Sequence, residues 1–144
     1  MQISIPLPFA DGEYVFALPI KQIVALEAKA GPIDLVKHRL INGGWSVLDV
    51  VETIRHGLIG GGRGMVNKVD VSISDLKANL LVDTYIDGKP LAPHAITAKA
   101  VLMALYVGYE PVEGQKKSPV TEEDQESSSE STGASSSTTA SPSD

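Results

Sequence analysis

Gly57-Leu58-Ile59-Gly60-Gly61-Gly62 is the stretch on which the reading of this chain turns. A glycine cluster beside Arg63 invites comparison with a phosphate-binding loop. Such a loop, however, sets its glycines between a strand and the N-terminus of a helix, where backbone N–H groups and the positive dipole end meet the anion. Here the glycines follow a helical pattern. Ser46, with Asp49 three residues on, resembles a capping box in which Asp replaces Glu, and Val47, Val50, Val51, Ile54 and Leu58 continue as an apolar stripe. The helix end offers carbonyls rather than N–H groups, and no Gly-Lys-Ser/Thr sequence is present. The cluster reads as a helix stop with a flexible joint, Gly60 lying just past the end.

Upstream, the period is two. Ile3, Ile5, Leu7 and Phe9 alternate with Ser4, Pro6 and Pro8, Asp11-Gly12 supplies a turn, and Tyr14, Phe16 and Leu18 alternate again, so residues 2–18 read as a β-hairpin. Residues two apart in a strand aim their backbone groups the same way, and proline has no N–H to give. Pro6 and Pro8 are therefore expected on an open edge, with Leu7 and Phe9 paired to the returning strand.

From Pro19 the period becomes helical. A first helix over about 19–30 carries Ile20, Ile23, Val24 and Glu27 and stops at Gly31. A second over 32–42 puts Ile33, Val36 and Leu40 on one face and ends at Asn42-Gly43-Gly44. The third is the 46–59 helix above. A fourth over 74–87 has Ile73, Leu76, Leu80 and Tyr85 inward and Gly88 as its cap, and a fifth over 93–107 carries Ile96, Ala100, Met103 and Val107 with Val101, Leu102 and Leu105 alongside. Apolar on most sides, that last helix is expected at the centre of the bundle or under a partner. Arg63 to Val71 joins the third and fourth helices.

The expected architecture is mainly α, of α+β type: an N-terminal hairpin packed on about five helices within residues 1–109, then a tail over 110–144. From Ser118 onward there are ten Ser, four Thr, six acidic residues and no Lys or Arg. That composition cannot bury enough apolar surface to offset its ordering entropy, and disorder is expected. The whole formal charge of −6 resides beyond Lys117, because basic and acidic residues balance at twelve each up to that point.

A neutral domain with an acidic tail has no electrostatic footprint for nucleic acid. No apolar run reaches the roughly 18 residues of a spanning helix, and the N-terminus has no basic stretch leading into an apolar one, so no membrane partner is expected. The absence of cysteine removes disulfides and thiolate chemistry. His38, His56 and His94 fall on separate helices without the i+3 or i+4 partners a metal would want, and read as surface or partly buried; His56, near a helix C-terminus, suits the dipole if protonated. Asp83 and Asp87 are spaced as paired carboxylates but read as a solvated face, and no Gly-x-Ser-x-Gly elbow exists. Neither catalysis nor a cofactor is expected. Trp45 precedes the third helix, either as a hydrophobic staple or as an aromatic anchor for a partner.

The order of these pieces resembles a known family. The hairpin, Ile23-Val24-Ala25-Leu26-Glu27 ending at Gly31, and Gly43-Gly44-Trp45-Ser46 opening the helix that closes at Gly57, Gly60, Gly61 and Gly62 are similar to the gene transfer agent tail assembly chaperones. Tyr85-Ile86-Asp87-Gly88-Lys89-Pro90-Leu91 and the alanine-rich last helix extend the likeness, so that Tyr85, Asp87, Pro90 and Leu91 join the glycines as motif residues. Against the pattern of that family, Arg63 to Val71 looks like an insertion before the fourth helix. The resemblance implies a tail morphogenesis factor of a phage or phage-like particle. It would bind the tape measure protein of a long noncontractile tail in the bacterial host cytoplasm, yield to tail tube subunits, and be absent from the mature particle. The apolar fifth helix also offers a surface for self-association, which the sequence alone does not decide. The alternative is a small helical adaptor or regulatory module with another protein partner.

Overall fold

The glycines that end the third helix are packing residues, and the fold is arranged around them. The computed structural model describes residues 1–111, with elements in the order β1 (Ile5–Phe9), β2 (Gly12–Phe16), α1 (Ile20–Ala30), α2 (Ile33–Asn42), α3 (Val47–Gly61), β3 (Arg63–Val66), β4 (Val69–Ser72), α4 (Asp75–Tyr85) and α5 (Ala92–Val107). The five expected helices are present, and the expected hairpin is half of a larger sheet. The tail expected over 110–144 lies outside the described residues except for Glu110 and Pro111.

The apparent insertion is the correction with most consequence. Arg63 to Ser72 forms a second hairpin, closed by Asn67 and Lys68 with φ of 52° and 66°, and gives a four-stranded antiparallel sheet in the order β1-β2-β3-β4. Two successive positive φ values are what a two-residue hairpin turn of the right twist requires. Tyr14 pairs with Gly64, which joins the two hairpins across three intervening helices. The first turn is Ala10-Asp11 rather than Asp11-Gly12: Phe9 pairs with Gly12, and Ala10 takes the positive φ. Since that closing pair exchanges hydrogen bonds, Pro6 and Pro8 fall in the alternate pairs, their nitrogens toward the outer edge of β1. β1 is an edge strand, as the prolines demand.

α3, not α5, is the central helix, packing on α1, α2, α4, α5 and β2. It runs through Gly60 and Gly61, and the left-handed cap is Gly62 at φ 72°. A Cβ on Gly60 would run into the carbonyl oxygen of Ala17, and one on Gly61 into that of Val15. Gly57, one turn back, faces the Phe16 ring, and its carbonyl accepts the Ala17 N–H at 3.1 Å. Gly57, Gly60 and Gly61 thus form a bare helical face that lets α3 lie directly on the β2 backbone, so the expected flexible joint is a tight contact.

The core gathers Phe9, Tyr14, Phe16 and Leu18 with Leu26, Val36, Leu40, Val50, Ile54, Leu58, Leu81, Val82, Val101 and Leu102. Phe9 meets Phe16 and Tyr14 edge-on, at ring-centroid distances of 5.9 and 6.1 Å. Several helices turn a different row inward from the one expected. Ile20 and Val24 are exposed while Ile23 and Leu26 face the core; Leu76 and Leu80 are exposed while Ala78, Leu81 and Val82 are buried; Ile96 and Val107 are exposed while Ala98, Val101 and Leu102 are buried. In each case small or neighbouring apolar residues supply a second row, and contact with α3 selects between the two. Gly88, expected to cap α4, stands two residues past the cap residue Ile86.

Candidate functional site

Every described helix is apolar on more than one row, so the folded surface retains apolar ground. Part of it lies in the groove between α3 and the C-terminal end of α4, where Val47 is exposed and Val51 and Leu91 are half-buried. Val47 and Val51 of α3 face Val82 and Ile86, with Leu91 closing the end; Arg55, Asp83, Asp87 and Lys89 border a space of about 370 Å³. The helical period explains why the stripe Val47, Val50, Val51, Ile54, Leu58 serves two purposes. It is wider than one contact, so Val50, Ile54 and Leu58 are fully buried whereas Val47 is 55% exposed and Val51 half-buried.

The capping box sets where this face begins. Ser46 Oγ accepts the Asp49 N–H at 3.1 Å and Asp49 Oδ2 accepts the Ser46 N–H at 2.9 Å. Arg39 of α2 reaches the same carboxylate twice, Nε to Oδ2 at 2.7 Å and Nη2 to Oδ1 at 2.8 Å, and also donates to the Ala30 carbonyl. Burial works against the Asp49 charge, but the Arg39 guanidinium and the Ser46 donors outweigh it and hold the carboxyl below its usual range. At the other end of the groove, Arg55 Nη1 donates to Asn79 Oδ1 at 2.7 Å; past the C-terminal end of α4, Lys89 Nζ donates to the Thr84 carbonyl at 3.3 Å. The rim carries two cations and two carboxylates. Its balance discourages a strongly charged ligand and leaves apolar contact as the attraction.

The sequence-derived motif residues divide between this groove and the sheet contact. Asp87 and Leu91 line the groove; Tyr85 ends α4 and is half-buried against the core; Pro90 is exposed in the connection to α5. Gly57, Gly60, Gly61 and Gly62 lie at the opposite end of α3, against β2. Trp45 is half-buried and packed against the core. Asp83 and Asp87 are both exposed, as the solvated-face reading has it.

Residues 2–108 match the family described as phage tail tube protein, GTA-gp10. The chain belongs to this phage tail family. No curated protein and no solved structure matches it. The matched span includes all nine elements of this tail-family protein and both parts of the motif.

A second polar cluster lies on the other flank of α3. Glu52, only 5% exposed, is 3.3 Å from Lys29 Nζ and from Arg55 Nε and 3.6 Å from His56 Nε2, while His56 Nδ1 is 2.8 Å from Gln22 Oε1. His56 is therefore buried rather than at the surface, and desolvation lowers its pKa despite the Glu52 carboxylate, so the neutral ring is favoured over the protonated form that the helix dipole alone would suggest. Glu52 and His56 line neither this groove nor a concavity of similar size, about 380 Å³, on the sheet beside Glu13, Arg63 and Asp70. Their role is to tie α1 and α3 together. His94 packs edge-on against Phe9 at 5.9 Å, and His38 Nδ1 lies 3.0 Å from Asn42 Nδ2 at the surface. Among the described residues no group of three or more His, Asp or Glu is placed to hold a metal ion, and no helix is long and apolar enough to cross a membrane.

Proposed function

We propose that the protein is a non-enzymatic tail assembly chaperone of a phage or phage-like particle. It acts in the bacterial host cytoplasm, holds an apolar helical segment of the tape measure protein in the α3–α4 groove, and leaves before the particle is complete. The observation that carries this reading is the groove itself: an apolar floor of Val47, Val51, Val82, Ile86 and Leu91 with a charge-balanced rim. Such a surface suits the apolar face of an amphipathic helix, read through anchors one turn apart, without the charge pairing that would make release slow. Leu80 and Leu76, exposed one and two turns before Asp83 on the same row of α4, extend the apolar ground along that helix.

The family description supports a second reading, a subunit of the tail tube. Co-expression with the tape measure protein of the same particle separates the two. The chaperone reading expects soluble co-purification of the pair, and Val47→Glu, which places a carboxylate on the groove at a helix N-terminus that tolerates it, weakens capture at least tenfold without lowering the unfolding midpoint. Failure of any tape measure to co-purify sinks this reading. Recovery of the protein from purified tails in amounts matching the tube would establish the other.

A further inference from the structure

The sheet has two edges of opposite character. Val66 and Val69 close the second hairpin and exchange hydrogen bonds, as do Gly64 and Val71, so the alternating residues Asp70 and Ser72 turn their N–H and C=O groups toward the free side of β4. The same alternation at β1 turns Pro6 and Pro8 outward, where no N–H exists to receive a partner. One edge is closed and the other offers two donors and two acceptors in a row.

We infer that β4 pairs antiparallel with β4 of a second copy, about a twofold axis at Val71. Three registers bring outward-facing residues opposite one another, and the side chains choose among them. Centring on Asp70 sets two carboxylates face to face, which opposes pairing. Centring on Ser72 leaves Asp70 opposite Ser74, beyond the strand. Centring on Val71 places Asp70 opposite Ser72 of the second copy, twice by symmetry, and uses all four outward donors and all four acceptors in main-chain bonds. The outer face adds charge complementarity. Arg63 lies beside Ser72 on β3, and Asp70 of the second copy would continue that row, with the small Ser72 between them leaving the guanidinium room to reach the carboxylate. Neither Arg63 nor Asp70 has an ion-pair partner among the described residues. The product is an eight-stranded sheet whose two ends are both β1, sealed by Pro6 and Pro8, so growth stops at the dimer. The contact is isologous and short, which sets a dissociation constant in the micromolar range or weaker.

The test uses the full chain alone, with no tape measure present, so its outcome is independent of the chaperone reading. Sedimentation velocity between about 5 and 500 µM is expected to show a monomer–dimer equilibrium. Ser72→Pro, which removes an outward N–H and leaves the β3 pairing intact, is expected to weaken the dimer at least tenfold with no loss of monomer melting temperature. Asp70→Arg is expected to weaken it similarly, and the charge swap Arg63→Asp with Asp70→Arg to restore it. Because the chain has no cysteine, Val71→Cys reports register directly: opposite residues of this pair type approach to about 4.5 Å between Cα atoms and crosslink on oxidation, whereas Asp70→Cys, offset diagonally, does not. A monomer at every concentration overturns the inference. So does a dimer indifferent to Ser72→Pro whose Val71→Cys form fails to crosslink, which would assign self-association to another surface such as the exposed row of α5.

Discussion

At the scale of single residues, Gly61 and His56 show how position reverses an expectation drawn from type. An alanine within a helix is ordinarily about 1 kcal/mol better than glycine. Gly61→Ala is nevertheless expected to destabilise the protein by roughly 2–3 kcal/mol in urea unfolding, because its Cβ meets the Val15 carbonyl, and backbone cannot swing aside. Sequence reading placed these glycines at a helix end but could not show what they touch. Close approach is a property of the facing element, and the facing element is far away in the chain. The histidine carries a pH prediction. His56 is lowered in the folded state, so below its ordinary 6.5 the unfolded chain takes up a proton that the folded chain refuses, and stability falls as pH drops through that range. Asp49 is also lowered, so its contribution is present above its ordinary 3.8 and is lost on further acidification. Replacing His56 with Gln is expected to reduce the first of these losses, leaving the share of His94, whose pKa burial also lowers, and to keep the second, as measured by unfolding midpoints from pH 8 to pH 3.

At the scale of elements, all five helices and the first hairpin were legible because punctuation and period agree: Pro19, Ser46 and Ser74 before helices, Gly31, Gly43 and Gly108 after them. The second hairpin was not read. Val69 and Val71 alternate with Asp70 and Ser72 as a strand should, but Asn67-Lys68 lacks the glycine that normally marks so tight a turn. Lys68 holds φ of 66° with a full side chain, a conformation that costs about 1 kcal/mol for most residues. Lys68→Gly is therefore expected to stabilise the protein by about 0.5–1 kcal/mol, raising the thermal midpoint by a few degrees in a melt followed by circular dichroism. The groove was hidden for a different reason. The α3 stripe is visible in sequence, but an apolar row does not say whether it meets the core or an empty groove. Only the placement of α4 separates Val50 from Val51.

At the scale of the whole molecule, the two ends of the folded unit are tied. Gln2 N–H donates to the Tyr109 carbonyl at 3.1 Å, and Tyr109 N–H to that of Gln2 at 2.7 Å. A chain ended after Gly108 loses this bridge and is expected to be about 1 kcal/mol less stable than one ended after Glu110. Denaturant titration of the two truncations checks the difference. The union of the two hairpins bears on a different property, the order of folding. β1 with β2 and β3 with β4 are local pairs that form within microseconds, but β2 with β3 closes only when α1, α2 and α3 have brought Gly64 back to Tyr14. The bare face of α3 against β2 is the surface on which that closure depends. The rate-limiting encounter is thus expected to be the docking of a helix onto a strand. Substitutions at Gly60 and Gly61 should slow refolding, and because the β3–β4 pair forms before that docking, those at the Asn67-Lys68 turn should likewise act mainly on the folding rate.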